Sequence, residues 1–447
     1  MTSVLVVSPE PVGERMAGPA IRSLELARVL AATCDVTVAA AAPGAAIGLP
    51  LLEAGMGDVE RLVRAAREHD VVVAQELPPV VIERLARGPA KLVADLYNPQ
   101  VVEVLEGVAG RAAAERRRLH RRIVARSLAM CAAADLVLCA NERQRDLWIG
   151  GMALHGLIEP GDHDRDPALR ERVMVIPFGL PDGPPPEPSG ALRRAFPAIV
   201  PGERVLVWGG GLWGWLDPVT PMRAVRLLAE RGGPRVHLVL LGAARPALAA
   251  SGQAGAGERA LAAAREGGLL GELVHVNAGW VPYAERGGWL ADADLGVTAH
   301  HDHLEARYAH RTRVLDYLWA GLPVVATRGD ALAEAVERDG FGAAVPPGDP
   351  AAFAGACARL LGPDGAAARG RIAAAAPGLR WSAAVAPLAA WCATAPANER
   401  RPVRRGVVRR AGLAQYRWAF GETLAGEGPA AAARRVGRRL RRAVRLR

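Results

Sequence analysis

The sequence predicts an α/β protein built from two doubly wound domains. Three observations carry that reading. Short β-branched runs alternate with stretches of helical periodicity, the pattern of strand–helix–strand units and a parallel sheet. The alternation stops at one proline-rich stretch and then restarts. The 447 residues suit two domains, and 51% hydrophobic residues supply their cores.

In order along the chain, Val4–Ser8 reads as the first strand. Pro19–Leu30 follows as a helix, with Ile21, Leu24 and Ala27 at helical spacing and a proline in the first turn. Asp35–Ala41, Val71–Gln75, Lys91–Asp95, Leu136–Ala140 and Val173–Pro177 complete the strands of this half. From Phe178 to Pro188, five prolines and two glycines in eleven residues can continue neither helix nor strand, so the stretch reads as a linker. Beyond it Val205–Trp208, Val236–Leu241, Val274–Val276, Leu295–Thr298, Val324–Thr327 and Ala343–Val345 are the expected strands. A helix carrying Met222, Val225 and Leu228 follows the first of them. Two such sheets imply a cleft, with ligands beyond the carboxyl ends of the strands.

Composition narrows the function classes. Residues 401–447 hold fourteen arginines against Glu422 and Glu427, a balance of +12, which leaves residues 1–400 at −2 of the chain's +10. This is a near-neutral body with a basic tail, which argues against a nucleic-acid-binding protein. Lys91 is the sole lysine. Cys34, Cys131, Cys139, Cys357 and Cys392 lack paired spacing and read as small buried hydrophobes in a reducing compartment. The opening residues lack a basic segment before their apolar run, and the charge-free stretches Val36–Leu52 and Trp381–Asn398 are alanine-rich and broken by proline. The expected location is the cytoplasm.

Three stretches can carry chemistry. Gly13 to Arg22, including Gly18, follows the first strand and enters a helix, where free N–H groups and the helix dipole favour an anion. The bland alternative is an arginine on a solvated helix face. Gly209, Gly210 and Gly211 follow a strand and allow close backbone approach, while Trp208, Trp213 and Trp215 can stack on sugar or base faces. Their alternative is an aromatic-lined domain seam. From His300 to Val325 lies the densest set: four histidines, Asp302, Glu305, Arg311, Arg313 and Asp316. The spacing matches no familiar metal-ligand pattern, and Arg313 with Asp316 can equally be an i,i+3 helix pair.

Here the chain resembles a known family. The run from Asp316 to Thr327 is similar to the EAxAxGxPVV signature of GT-B glycosyltransferases of family 4. The entry loop Gly13–Gly18 and the stretch from Asn141 to Gln144 agree with it. The resemblance covers roughly residues 1–395. It implies two Rossmann-like domains (GT-B), a nucleotide-sugar donor held mainly by the second, an acceptor on the first, and retention at the anomeric carbon with no bound metal or other cofactor. The chain departs from the family pattern in three places. Seven residues before Asp316, where the family has a glutamate, stands Tyr308; Glu305 lies three residues earlier. The Arg-x4-Lys phosphate pair is replaced by the Trp/Gly-rich stretch. The histidine of the first domain has no counterpart after Lys91–Ala94, where Asp95, Tyr97 and Asn98 stand.

The resemblance thus assigns expected roles. Glu305, Asp316 and Asp95 are the catalytic candidates, Glu305 or Asp316 on the ribose hydroxyls. Gly18, Arg22, Gly209, Gly210, Gly211, Arg311 and Arg313 would hold the donor phosphates; arginine suits them because its fork binds two oxygens at once. Trp208, Trp213 and Trp280 would contact base or sugar, and Asn98 and Tyr97 the acceptor. The expected domains are 1–177 with a helix returning over 381–397, the linker 178–188, the donor domain 189–380 and a tail 398–447. In Gly428–Arg447, Ala432, Val436, Leu440 and Val444 share one helix face and eight arginines lie elsewhere, a pattern for an anionic membrane surface at the inner face. The acceptor class is a cell-envelope, polysaccharide or lipid-linked glycan. A nucleotide-sugar epimerase and a noncatalytic scaffold of the same fold remain rival readings.

Overall fold

The computed structural model describes residues 1–14, 16–41, 47–107, 110–242, 255–277, 279, 281–395 and 403–429. The chain forms two units, one mainly from the residues up to Ile176 and again from Val385, the other mainly from Pro177–Ala384.

The first unit has seven described strands, β1 (Ser3–Val7), β2 (Asp35–Ala40), β3 (Leu51–Glu53), β4 (Val71–Ala74), β5 (Lys91–Asp95), β6 (Leu136–Cys139) and β7 (Val173–Val175). They lie parallel in the order β3-β2-β1-β4-β5-β6-β7. Val4 stands opposite both Val36 and Val71, which fixes the register at the centre. The central strands are continuous apolar runs because helices cover both faces of a parallel sheet; β4, β5 and β6 are buried throughout. The order reverses between β1 and β4. The edge strand β3 escapes the sequence reading, being three residues long and partly exposed.

The second unit repeats the plan with six described strands: β8 (Arg204–Gly211), β9 (Val236–Gly242), β10 (Val274–Val276), β11 (Leu295–Thr298), β12 (Val324–Thr327) and β13 (Gly342–Val345). Their order is β10-β9-β8-β11-β12-β13, again all parallel, with the reversal between β8 and β11. One difference from the sequence reading matters for the site. The three glycines are not a loop after β8 but its last residues, with a register shift between Trp208 and Gly211. The reason is close packing: a Cβ on Gly242 would stand 2.4 Å from the carbonyl carbon and oxygen of Gly210.

The proline-rich stretch is fastened to the second unit. The Leu180 N–H donates to the Leu379 carbonyl at 2.7 Å, and the Trp381 N–H donates to the Leu180 carbonyl at 2.8 Å. The helix Trp381–Thr394 starts in the second unit and ends in the first. There the Thr2 hydroxyl donates to the Ala393 carbonyl and the Lys91 ammonium donates to that of Ala395. Lys91 is buried. A further helix, Arg405–Glu427, packs along Ala113–Ala133 and sends Val408 and Ala411 into the core of the first unit. The amphipathic helix expected over Gly428–Arg447 lies outside the described residues beyond Pro429. All five cysteines are free and buried, and burial raises the Cys131 and Cys139 thiols to about 12. Among the described residues no helix is long and apolar enough to cross a membrane.

Candidate functional site

In the second unit, the segments following β8 and β11 meet at the reversal of strand order, where open α/β sheets bind ligands. The Asp217 N–H donates to the Ala299 carbonyl at 3.0 Å and the His301 N–H to that of Trp215 at 3.2 Å. His303 Nε2 lies 3.0 Å from the same Trp215 oxygen. Tyr317, inside the signature-like run, joins a third segment: its hydroxyl accepts from the Gly209 N–H at 2.8 Å and donates to the Val297 carbonyl at 2.9 Å.

Arg313 opens the helix Arg313–Trp319 and lies across this junction. Its guanidinium carbon is 4.8 Å from the centre of the Trp208 ring, and one terminal nitrogen donates to the Gly211 carbonyl at 2.9 Å. The other terminal nitrogen, NH1, is enclosed without a hydrogen-bond partner. Burial, with Arg311 nearby, lowers its pKa to about 10, so it stays charged at neutral pH. A partly buried, forked cation with an unpartnered donor has the chemistry to meet an oxyanion.

The structure corrects the reading of the tryptophans. Trp208 is 0% exposed because strand alternation turns it, with Leu206, into the core. Trp213 and Trp215 stack on each other, centroids 5.3 Å apart and 4° between planes, and pack against the same core. Trp208 and Trp215 therefore meet protein, not an open ligand face, while Trp213 stays partly exposed. Trp280 lies outside the described residues.

The acids behave differently from one another. Glu305 is 1% exposed and holds Arg311 in a two-point ion pair, NH1 to Oε1 at 2.9 Å with NH2 on Oε2. Neither group is presented for a ribose or a diphosphate, because each is enclosed against the other. Asp316 is partly exposed, and its partner is Arg286 at 3.2 Å rather than Arg313. Arg286 itself lies 3.8 Å over the Tyr283 ring. Beneath the loop, His300 Nε2 stands 3.6 Å from Asp330 Oδ2, both side chains enclosed. Burial opposes ionisation of Asp330, but His300, Arg311 and the Ala333 N–H hold its carboxyl below the ordinary value. Its other oxygen accepts from the Leu332 and Ala333 N–H groups and caps the helix Ala331–Arg338. Arg286, Tyr317 and Asp330 were not singled out from sequence; only Tyr317 carried a signal, its place within the signature-like run.

In the first unit, Arg22 is also enclosed. Its Nε donates to Asp95 at 3.0 and 2.7 Å, and NH2 donates to Asp95 at 2.8 Å and to the Ile176 carbonyl at 3.0 Å. The expected phosphate ligand is thus a buried partner of the expected acid. Asp95, Tyr97 and Asn98 do come together: with Gln75, Gln100 and Arg126 they line a small hollow beyond β4 and β5. Burial holds the Tyr97 hydroxyl well above its usual pKa, so it is a neutral donor, and Gly18 packs near it. Gln75 donates to the Pro19 carbonyl at 2.8 Å and to the Ser23 hydroxyl at 3.1 Å. Arg126 is held by Glu76 and Gln100.

This fold, two like parallel sheets, has counterparts among known proteins. A family model described as glycosyl transferases group 1 matches residues 204–362. The match lies wholly within the second unit. That segment runs from β8 past β13 and contains Arg313, Asp316, Glu305 and the β8 glycines. Among solved structures, HepE of Anabaena, crystallised with UDP and glucose, aligns at 15% identity and a TM-score of 0.63, covering 87% of this chain and 99% of its own. Sucrose-phosphate synthase of Thermosynechococcus elongatus aligns at 16% identity and 0.57, covering 87% and 97%. WaaG, a glycosyltransferase involved in lipopolysaccharide biosynthesis, aligns at 17% identity and 0.58, covering 86% and 99%. At these identities the likeness is one of fold, and the fold is GT-B, two Rossmann-like units. No curated protein matches the chain.

Proposed function

We propose that this chain is a retaining, metal-independent glycosyltransferase that moves a hexose from a nucleotide sugar to a cell-envelope, polysaccharide or lipid-linked acceptor. The observation that supports it most is Arg313: within the group 1 segment, a charged guanidinium with an enclosed, unpartnered nitrogen lies beside the glycine end of β8. The bond from the anomeric carbon to the diphosphate oxygen breaks through an oxocarbenium-like state, as in glycoside hydrolysis. The acceptor hydroxyl forms the new bond on the same face, and its proton leaves with the diphosphate. Arg313 and the backbone around Gly210 and Gly211 take up the departing charge. Asp316, partly exposed, meets the ribose. Tyr97 and Asn98, backed by the buried Arg22–Asp95 pair, hold the acceptor. The complexes of HepE with UDP-glucose and the lipopolysaccharide role of WaaG favour a uridine donor and an envelope glycan. The +12 balance of residues 401–447 favours work at an anionic membrane surface on the cytoplasmic side.

The test is a thermal-shift screen with UDP-, GDP- and dTDP-sugars in chelator. A ligand at 100 times its Kd adds about 2.7 kcal/mol to stability. Proton NMR of the product then reads the anomer. Silence toward every nucleotide sugar would sink the proposal, an inverted product would remove retention, and sugar interconversion without an acceptor would make the chain an epimerase.

A further inference from the structure

Beyond the site, the strongest unassigned feature is a charged surface in the first unit. The helices Ala113–Ala133 and Arg405–Glu427 pack along each other. Arg116, Arg117, Arg118 and Arg121 on one are exposed, as are Arg405, Arg409, Arg410 and Arg417 on the other. Among the described residues none of the eight makes a close ion pair with a carboxylate, although the charge of Arg409 acts on Glu83. The second helix has two faces. Val408 and Ala411 are buried in the core, whereas Leu413, Phe420 and Leu424 are 52, 42 and 43% exposed. At 3.6 residues per turn those three fall within an arc of about 40°, with Arg409, Arg410 and Arg417 within about 60° of Leu413.

We infer that these two helices together form a docking surface for an anionic phospholipid bilayer. Exposed aliphatic and aromatic side chains rimmed by exposed arginines suit the boundary between headgroups and acyl chains. A nucleic-acid backbone would use the arginines but gives two leucines nothing to enter. The inference rests on the membrane reading of the tail and extends it to the body helix Ala113–Ala133.

The full chain is tested by co-sedimentation with phosphatidylcholine vesicles with and without phosphatidylglycerol. One variant carries Arg116→Gln, Arg117→Gln, Arg118→Gln and Arg121→Gln; a second carries Leu413→Gln, Phe420→Gln and Leu424→Gln. All substituted side chains are exposed, so both variants are expected to melt with the parent. Each arginine near an anionic leaflet is worth roughly fivefold in partition. The first variant should lose at least about tenfold on anionic vesicles, and the second should lose the binding that persists at high salt. Unchanged pelleting of the first variant would overturn the two-helix surface while leaving the tail reading standing. A parent that ignores anionic vesicles would overturn both. Tighter binding of the parent to single-stranded RNA, lost in the first variant, would make the surface a nucleic-acid site instead.

Discussion

Each unit places one two-point arginine–carboxylate pair past the carboxyl ends of its strands, but the two pairs are built differently. Arg22 and Asp95 are 73 positions apart, and the same guanidinium also holds the Ile176 carbonyl. A helix, the end of β5 and the segment after β7 are thereby joined at one group. Glu305 and Arg311 are six positions apart and close a single loop, with Arg311 Nε left enclosed and unpartnered. A pair that ties distant segments is bound into the fold. A pair inside one loop shapes only that loop, and function can be arranged around it.

The comparison can be broken at its strongest point first. Arg22→Ala or Asp95→Ala should cost about 3–5 kcal/mol, because each strands the other charge in the interior. Denaturant unfolding of both variants reads this, and a loss near that of an exposed pair would dissolve the contrast.

A second test uses a buried polar cluster that contains no arginine pair. His237 Nδ1 lies 3.0 Å from His275 Nε2, and its other nitrogen 2.8 Å from Glu203. Burial lowers His275 from 6.5 to about 4, with His237 and Arg235 adding to it and Glu203 opposing. Between those pH values the unfolded chain binds the proton that the folded chain refuses, so stability falls on acidification, on the order of 3 kcal/mol. Melting from pH 7 to pH 4 should show that slope in the parent and a flatter one in His275→Phe.

Glu305→Ala should cost less than Asp95→Ala, about 1.5–3 kcal/mol, since the loop can open Arg311 to water. Equal costs would make the two pairs alike. Arg313→Ala should weaken nucleotide-sugar binding by about 1.5 kcal/mol, the low end for a charged hydrogen bond because this side chain already serves Gly211. Isothermal titration decides it; unchanged affinity would return Arg313 to a purely structural role. Smallest in stability is Asp316→Asn, within about 0.5 kcal/mol as for other exposed positions, yet turnover should drop by about tenfold or more. Full turnover would move the acidic role elsewhere.

Much of the fold was legible because parallel strands advertise themselves. Lys91–Asp95, Val274–Val276, Leu295–Thr298 and Val324–Thr327 match the sequence reading residue for residue. β3 was not legible, since three half-exposed residues carry no period. Ala113–Ala133 hid behind its arginine run, which masks an apolar face. At the site, the burial of Trp208 was available from strand alternation with Leu206. The Arg22–Asp95 pair was not, because no local pattern links residues 73 positions apart. The Glu305–Arg311 pair had no helical or strand spacing to betray it.

The buried Lys91 has a consequence for chemical labelling. Its ammonium is held by the Ala395 carbonyl, and the five thiols are enclosed as well. An acylating dye therefore finds no exposed lysine on the native chain. Acylation of Lys91 then becomes a clock for release of the end of the Trp381–Thr394 helix from β5. Its rate under native conditions measures that opening, read at one residue by mass spectrometry.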